Sequence, residues 1–165
     1  MPGTAAQPVQ EYELKAAYVY NFAQLTEWPS AALGGPDAPF AICVLDRKLP
    51  LPGFEGLRGK RVHGRRIELR ALAAIESAPG CHVLFVGGPE HARLRQIAVA
   101  LGDAPVLTVA DGDETATGGA VITLFPRASR ILFHVDLAAA SHARLRISSH
   151  LLRLAARVTG AEGPK

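Results

Sequence analysis

The chain has 165 residues, 48% of them hydrophobic and 20% charged, with a net charge of +3. That length suits one domain able to bury about 70% of its unfolded surface, and the composition is that of an ordinary globular protein. No run reaches the roughly 20 apolar residues of a membrane span, and the basic residues form no dense stripe with interleaved aromatics, so direct membrane insertion and nucleic-acid binding are not expected.

Residues 1–10 read as a disordered leader or cloning remnant. Met1 to Pro8 has neither the basic start nor the apolar run of a signal peptide, which alone favours the cytoplasm, but a polar, Pro-containing leader also fits a mature domain whose signal has been removed. Residues 11–159 read as the folded domain and 160–165 as a disordered tail. The first element is an aromatic-rich amphipathic helix ending at Trp28, since Pro29 disfavours helical geometry in the residue before it. At 100° per residue, Leu14, Ala17, Tyr18, Asn21, Phe22 and Leu25 share one face, and Tyr12, Ala16, Val19 and Ala23 gather opposite. A helix apolar on two sides is sandwiched between layers or shared with a partner. Asn21 within such a face is either a core amide or a contact residue.

A Gly/Pro/Ala-rich loop, Ser30 to Pro39, leads into strand one at about Ala38–Asp46. Leu49 to Gly59 holds at most a helical turn. Val62–Ala71 alternates as a second strand, and Ala71–Ala78 is a short helix or turn ended by Pro79 and Gly80. Strand three is His82–Val86. Pro89–Leu101 is a helix, with Pro89 and Glu90 well placed in its first turn. Strand four, Val106–Val109, runs into an acidic turn, Asp111 to Thr115. Ala120–Phe125 and Arg130–Val135, joined by Pro126 to Ser129, predict an antiparallel hairpin. A closing helix spans about Leu137–Val158, with Ile147, Leu151, Leu154, Ala155 and Val158 on one face and a basic stripe of Arg146, His150, Arg153 and Arg157 beside it. Leu145 and Leu152 lie on its far side, under a neighbouring element or on a homodimer surface. Strands alternating with helices give an α/β single domain: a mostly parallel sheet with an antiparallel C-terminal hairpin, flanked by helices.

Several patterns resemble chemistry and fail on spacing. Val86-Gly87-Gly88-Pro89-Glu90 lacks the glycine and lysine positions of a phosphate loop, and Glu90 would repel a phosphate. The acidic turn has Ala116 and Ile122 where a calcium loop needs Gly and Glu. The six histidines include no H-E-x-x-H pair. Ser148, His150 and Asp136 have no strained nucleophile turn to support a triad. Cys43, inside an apolar strand, is poorly placed for an activated thiolate. No enzyme activity, cofactor or metal is therefore expected. Cys43 lies within one apolar strand and Cys81 immediately precedes another, and the residues leave open a bridge or two buried thiols.

The segment Lys15-Ala-Ala-Tyr-Val-Tyr-Asn-Phe-Ala-Gln-Leu-Thr-Glu-Trp-Pro29 resembles the opening of the YfiR-like family of bacterial periplasmic proteins. Gly118-Gly119-Ala120-Val121-Ile122, Phe133, Asp136-Leu137 and Ser148-Ser149-His150-Leu151-Leu152-Arg153-Leu154-Ala155 match its second signature. Ala120 replaces the family's usual Met, and His134-Val135-Asp136 stands where Glu-Ile-Asn is common. The resemblance implies an exported, periplasmic domain whose signal peptide is absent from this sequence, with Cys43 and Cys81 joined. It also implies a non-enzymatic regulator that binds the periplasmic sensor domain of an inner-membrane diguanylate cyclase, represses it and lowers cyclic di-GMP. The alternative is a periplasmic small-ligand-binding module of a signalling or transport system, with a pocket near Tyr18, Asn21, Trp28 or Gly118-Gly119. Candidate ligand or partner contacts are Tyr18, Asn21, Trp28, Leu145 and Leu152.

Overall fold

The computed structural model describes residues 6–45, 51–113 and 119–160. Residues 1–5 and 161–165 of the expected leader and tail, Asp46, Leu49 and Pro50, Glu114 and Thr115 of the acidic turn, and Gly118 lie outside them. Helix α1 spans Ala6–Gln24, beginning before the expected boundary at residue 11, and strand β1 is Thr26–Glu27. Then come α2 (Ser30–Leu33), β2 (Phe40–Leu45), α3 (Leu51–Phe54), β3 (Arg61–Val62), β4 (Arg65–Ala71) and β5 (Val83–Val86). Next are α4 (Leu94–Leu101), β6 (Leu107–Asp111), β7 (Ile122–Arg127) and β8 (Arg130–Asp136). The chain ends with α5 (Leu137–His142), β9 (Arg146–Ile147), α6 (Ser149–Leu154) and β10 (Arg157–Thr159).

Among the described residues, eight strands form one sheet in the order β10-β8-β7-β6-β5-β2-β4-β3, and β1 pairs separately with β9. The central strands β4, β2, β5, β6 and β7 are parallel, and β8 returns antiparallel against β7, as the sequence predicts. Strands β2 and β5 are buried at every position, because both faces of a parallel sheet are covered and the strands need continuous apolar runs. Alternation then divides their side chains. Ile42, Val44, Val83 and Phe85 pack with Val19, Phe22 and Ala23 of α1, whereas Cys43, Leu45, Leu84 and Val86 pack with Leu94 and Ile97 of α4. Helix α3 lies so close to α1 that a Cβ on Gly53 would come within 2.4 Å of the Tyr12 Cβ.

Cys43 and Cys81 are joined by a disulfide, 38 residues apart in the chain, within the α4 side of the core.

Four local readings are corrected. First, α1 stops at Gln24 rather than Trp28: Thr26 and Glu27 extend to pair with Ile147 and Arg146. Its buried side comprises Lys15, Ala16, Val19, Phe22 and Ala23, while Leu14, Ala17 and Asn21 face outward, so it packs on one side only. Second, Val62–Ala71 is a hairpin, since His63 and Gly64 turn with φ of 52° and 79° and return β4 against β3. Third, the start of the helix expected at Pro89 is a 3-10 turn over Gly88–Arg93, and α4 begins at Leu94.

Fourth, the expected helix Leu137–Val158 is four elements. Asp136 caps α5 by accepting from the Ala138 and Ala139 amides. Arg144 then takes φ of 60°, and Ser148 opens a new helix by accepting from the Leu151 amide. Such capping oxygens satisfy helix-end amides and favour a restart over continuation. The basic stripe dissolves accordingly: Arg146 lies in β9, His150 and Arg153 in α6, and Arg157 in β10.

Candidate functional site

Among the described residues, two concavities border α1. The first is a groove of 420 Å³ between the outer flank of α1 and α6, lined by Tyr18, Asn21, Phe22, His150, Leu151 and Leu154 among others. The Tyr18 hydroxyl donates to the Ile131 carbonyl at 3.0 Å. Its ring leans on Phe22 and Phe133, with centroids at 5.9 and 6.4 Å, so the groove floor is rigid. Asn21 stands exposed on the rim. Leu154 is 60% exposed there, one of a few large apolar side chains left in water. A water-exposed leucine beside a preformed aromatic floor is the kind of feature that marks a contact surface.

The structure thus brings Tyr18 and Asn21 into one groove. Trp28 lies elsewhere, 7% exposed, edge-on to Phe40 at 5.0 Å and donating its indole N–H to the His82 carbonyl at 3.2 Å. Leu145 is core, and Leu152 is half-buried against that core. With the terminal helix interrupted, these two leucines share no helix face. His150 and Leu154 are not among the expected contacts, because a continuous terminal helix puts them in its basic stripe and on its apolar face.

The second concavity is a cleft of 870 Å³ at the carboxyl ends of β5 and β6, between α1 and the tip of the β7–β8 hairpin. Its charged wall is built on Lys15, whose side chain is only 7% exposed. The Lys15 ammonium donates to Asp111 at 2.7 Å and to Glu11 one helical turn back, and sits 5.0 Å from the centre of the Tyr12 ring. Leu14, Phe125 and Ile131 supply apolar walls. Strand carboxyl ends are where open α/β sheets bind ligands. This site was missed, though two signals existed: a lysine on the stripe that holds Ala16 and Val19, and an aspartate ending an apolar strand. A third concavity, of 310 Å³, includes Gly119 and the α4–α5 surface. The Gly87-Gly88 turn leads to Glu90, fully buried and 3.1 Å from Arg93, which is a structural pair rather than a phosphate cradle.

His82 links the loop after Trp28 to the sheet. Its Nδ1 accepts from the Ala41 amide at 2.9 Å, which leaves Nε2 to donate to the Ala32 carbonyl at 2.8 Å. Burial holds its pKa below the usual 6.5; the Ala32 bond opposes that shift, and the nearby positive charges of Arg70 and Arg65 add to it. Below pH 6.5 the unfolded chain takes up a proton that folded His82 resists, so stability falls with pH until the depressed folded pKa is passed. The melting temperature is therefore expected to decline from pH 7 into the region below 6.5, more steeply in the parent than in His82→Gln. Parallel slopes in the two proteins would sink this assignment.

No helix among the described residues is long and apolar enough to cross a membrane. A family model described as YfiR/HmsC-like matches residues 12–156. Among solved structures, a conserved domain protein from Vibrio cholerae is similar with a TM-score of 0.59 at 13% identity, over 91% of this chain and 60% of that one. That likeness concerns the fold, and the chain spans 60% of the Vibrio chain's length. No curated protein matches the sequence.

Proposed function

The chain belongs to the YfiR/HmsC-like family, and from that membership we propose that it is a non-enzymatic periplasmic regulator. It binds the periplasmic sensor domain of an inner-membrane diguanylate cyclase, holds the enzyme inactive and so lowers cyclic di-GMP, favouring motility over biofilm. Repression of this kind needs a stable domain with higher affinity for one state of its partner. The family match over residues 12–156 is the observation that carries the reading. The α1–α6 groove is the proposed contact surface, with Tyr18 in its floor and Asn21 and Leu154 at its edge. Leu145 and Leu152, which are absent from its lining, belong to or pack against the core instead.

Leu154→Glu places a charge on a side chain that is 60% exposed, so the fold should melt within a degree or so of the parent. Affinity for the purified sensor domain should fall by about tenfold or more, because the new carboxylate would have to be desolvated against an apolar partner surface. Val99→Glu is the control, since Val99 is 78% exposed on α4, across the sheet. Calorimetric titration of all three proteins tests the assignment. Equal binding by the parent and Leu154→Glu would move the contact away from this groove.

A second reading, a small-ligand-binding module, is favoured by the strand-end cleft beside Lys15 and Asp111. The two are compatible, because a ligand there would press on the N-terminal half of α1, whose C-terminal half borders the proposed partner groove.

A further inference from the structure

The β3–β4 hairpin places Arg61 directly opposite Arg66 in the antiparallel register. Directly opposed residues share a sheet face at about 5 Å, and like charges in that position repel. Both arginines are exposed. The Arg66 guanidinium forms no hydrogen bond or ion pair with the described residues, and Arg61 donates from Nη1 to the Gly64 carbonyl at 3.0 Å. Beside them, Arg65 is spent on structure. Its Nε donates to the Leu33 carbonyl at 3.1 Å, and its Nη2 to the Gly34 and Gly35 carbonyls at 2.9 and 3.2 Å. Those bonds hold the chain that leads into the Pro36–Pro39 segment, which forms the far wall of a notch of 360 Å³ shared with the three arginines.

Asp37 is the one carboxylate lining that notch among the described residues. The neighbouring cations are already answered, Arg58 by Glu55 and Arg70 by Glu68. Uncompensated charge therefore concentrates on the Arg61–Arg66 pair. A hairpin that sets two exposed arginines opposite each other in register, both lining one notch against a fixed wall, has the form of an oxyanion receptor.

We propose that this notch binds a phosphate group, held between the guanidiniums of Arg61 and Arg66 on a loop that Arg65 fixes. A phosphate carries the charge to offset both cations and enough oxygens to accept from two forks at once, whereas a carboxylate satisfies one fork. Free phosphate and a phospholipid headgroup offer the same chemistry. The site is independent of the partner groove, so its failure would leave the regulator reading untouched.

The test is thermal melting of the parent, Arg61→Gln, Arg66→Gln and Arg70→Gln in inorganic phosphate and in chloride of equal ionic strength. Cosedimentation with phosphatidylglycerol and with phosphatidylcholine vesicles accompanies it. Without phosphate, Arg66→Gln should melt at or above the parent, because it relieves repulsion. With phosphate at about ten times its Kd, the parent and Arg70→Gln should rise by roughly 3 °C over chloride, and the two notch variants should not. Cosedimentation with phosphatidylglycerol alone, lost in the notch variants, would assign the headgroup as the source; its absence beside a phosphate shift would assign free phosphate. An equal response in Arg66→Gln and the parent, or no phosphate shift and no vesicle binding, overturns the proposal.

Discussion

Cys43→Ser is expected to lower the melting temperature by on the order of 10 °C under oxidising conditions. The bridge joins residues 38 apart, and in the chain-entropy account a loop of that size constrains the unfolded state by roughly 3–4 kcal/mol. Cys43 is fully buried and Cys81 is 3% exposed, so the variant also leaves a hydroxyl in an apolar cluster with Leu84 and Ile97. Dithiothreitol should bring the parent down toward the variant and leave the variant unmoved. Coincident melting curves for the parent and Cys43→Ser in oxidising buffer would remove any role for the bridge in stability.

Lys15→Met is expected to cost about 3 kcal/mol, because it strips a buried carboxylate of its ammonium partner. The Asp111 side chain is 12% exposed and lies 2.7 Å from that ammonium. A buried ion pair owes much of its apparent strength to the penalty of stranding one member. Lys15→Met combined with Asp111→Leu should therefore recover most of the loss. A double-mutant cycle read by urea denaturation measures this directly. Additive losses in the double variant would mean that the two charges do not depend on each other. Since the pair ties α1 to the carboxyl end of β6, it also sets the position of the helix that borders both concavities.

The central sheet was readable because strands buried on both faces need unbroken apolar runs, and Phe40–Leu45 and Val83–Val86 are such runs. The hairpin of β7 and β8 was readable from its two apolar segments and short connection. Tyr18 and Asn21 were drawn from the aromatic face of α1 and do meet in one groove. The C-terminal segment misled because Ile147, Leu151, Leu154 and Val158 fit a helical period that local capping overrides. The left-handed Arg144 ends the first helix and Ser148 caps a second, while two short strands gain partners in β1 and β8. Lys15 and Asp111 are 96 residues apart, and a pairing at that distance depends on the strand order, which periodicity does not encode. The opposed arginines were hidden for a related reason: Val62–Ala71 alternates as one strand until His63 and Gly64 fold it in two.

The most direct test of the regulator account is diguanylate cyclase activity in membranes that carry the cognate sensor cyclase, with the purified protein added to its periplasmic side. The account predicts inhibition that rises with dose, follows direct binding and weakens in Leu154→Glu. Cyclase activity unchanged at about ten times the concentration that saturates binding, or repression undiminished in a variant that no longer binds, would contradict it.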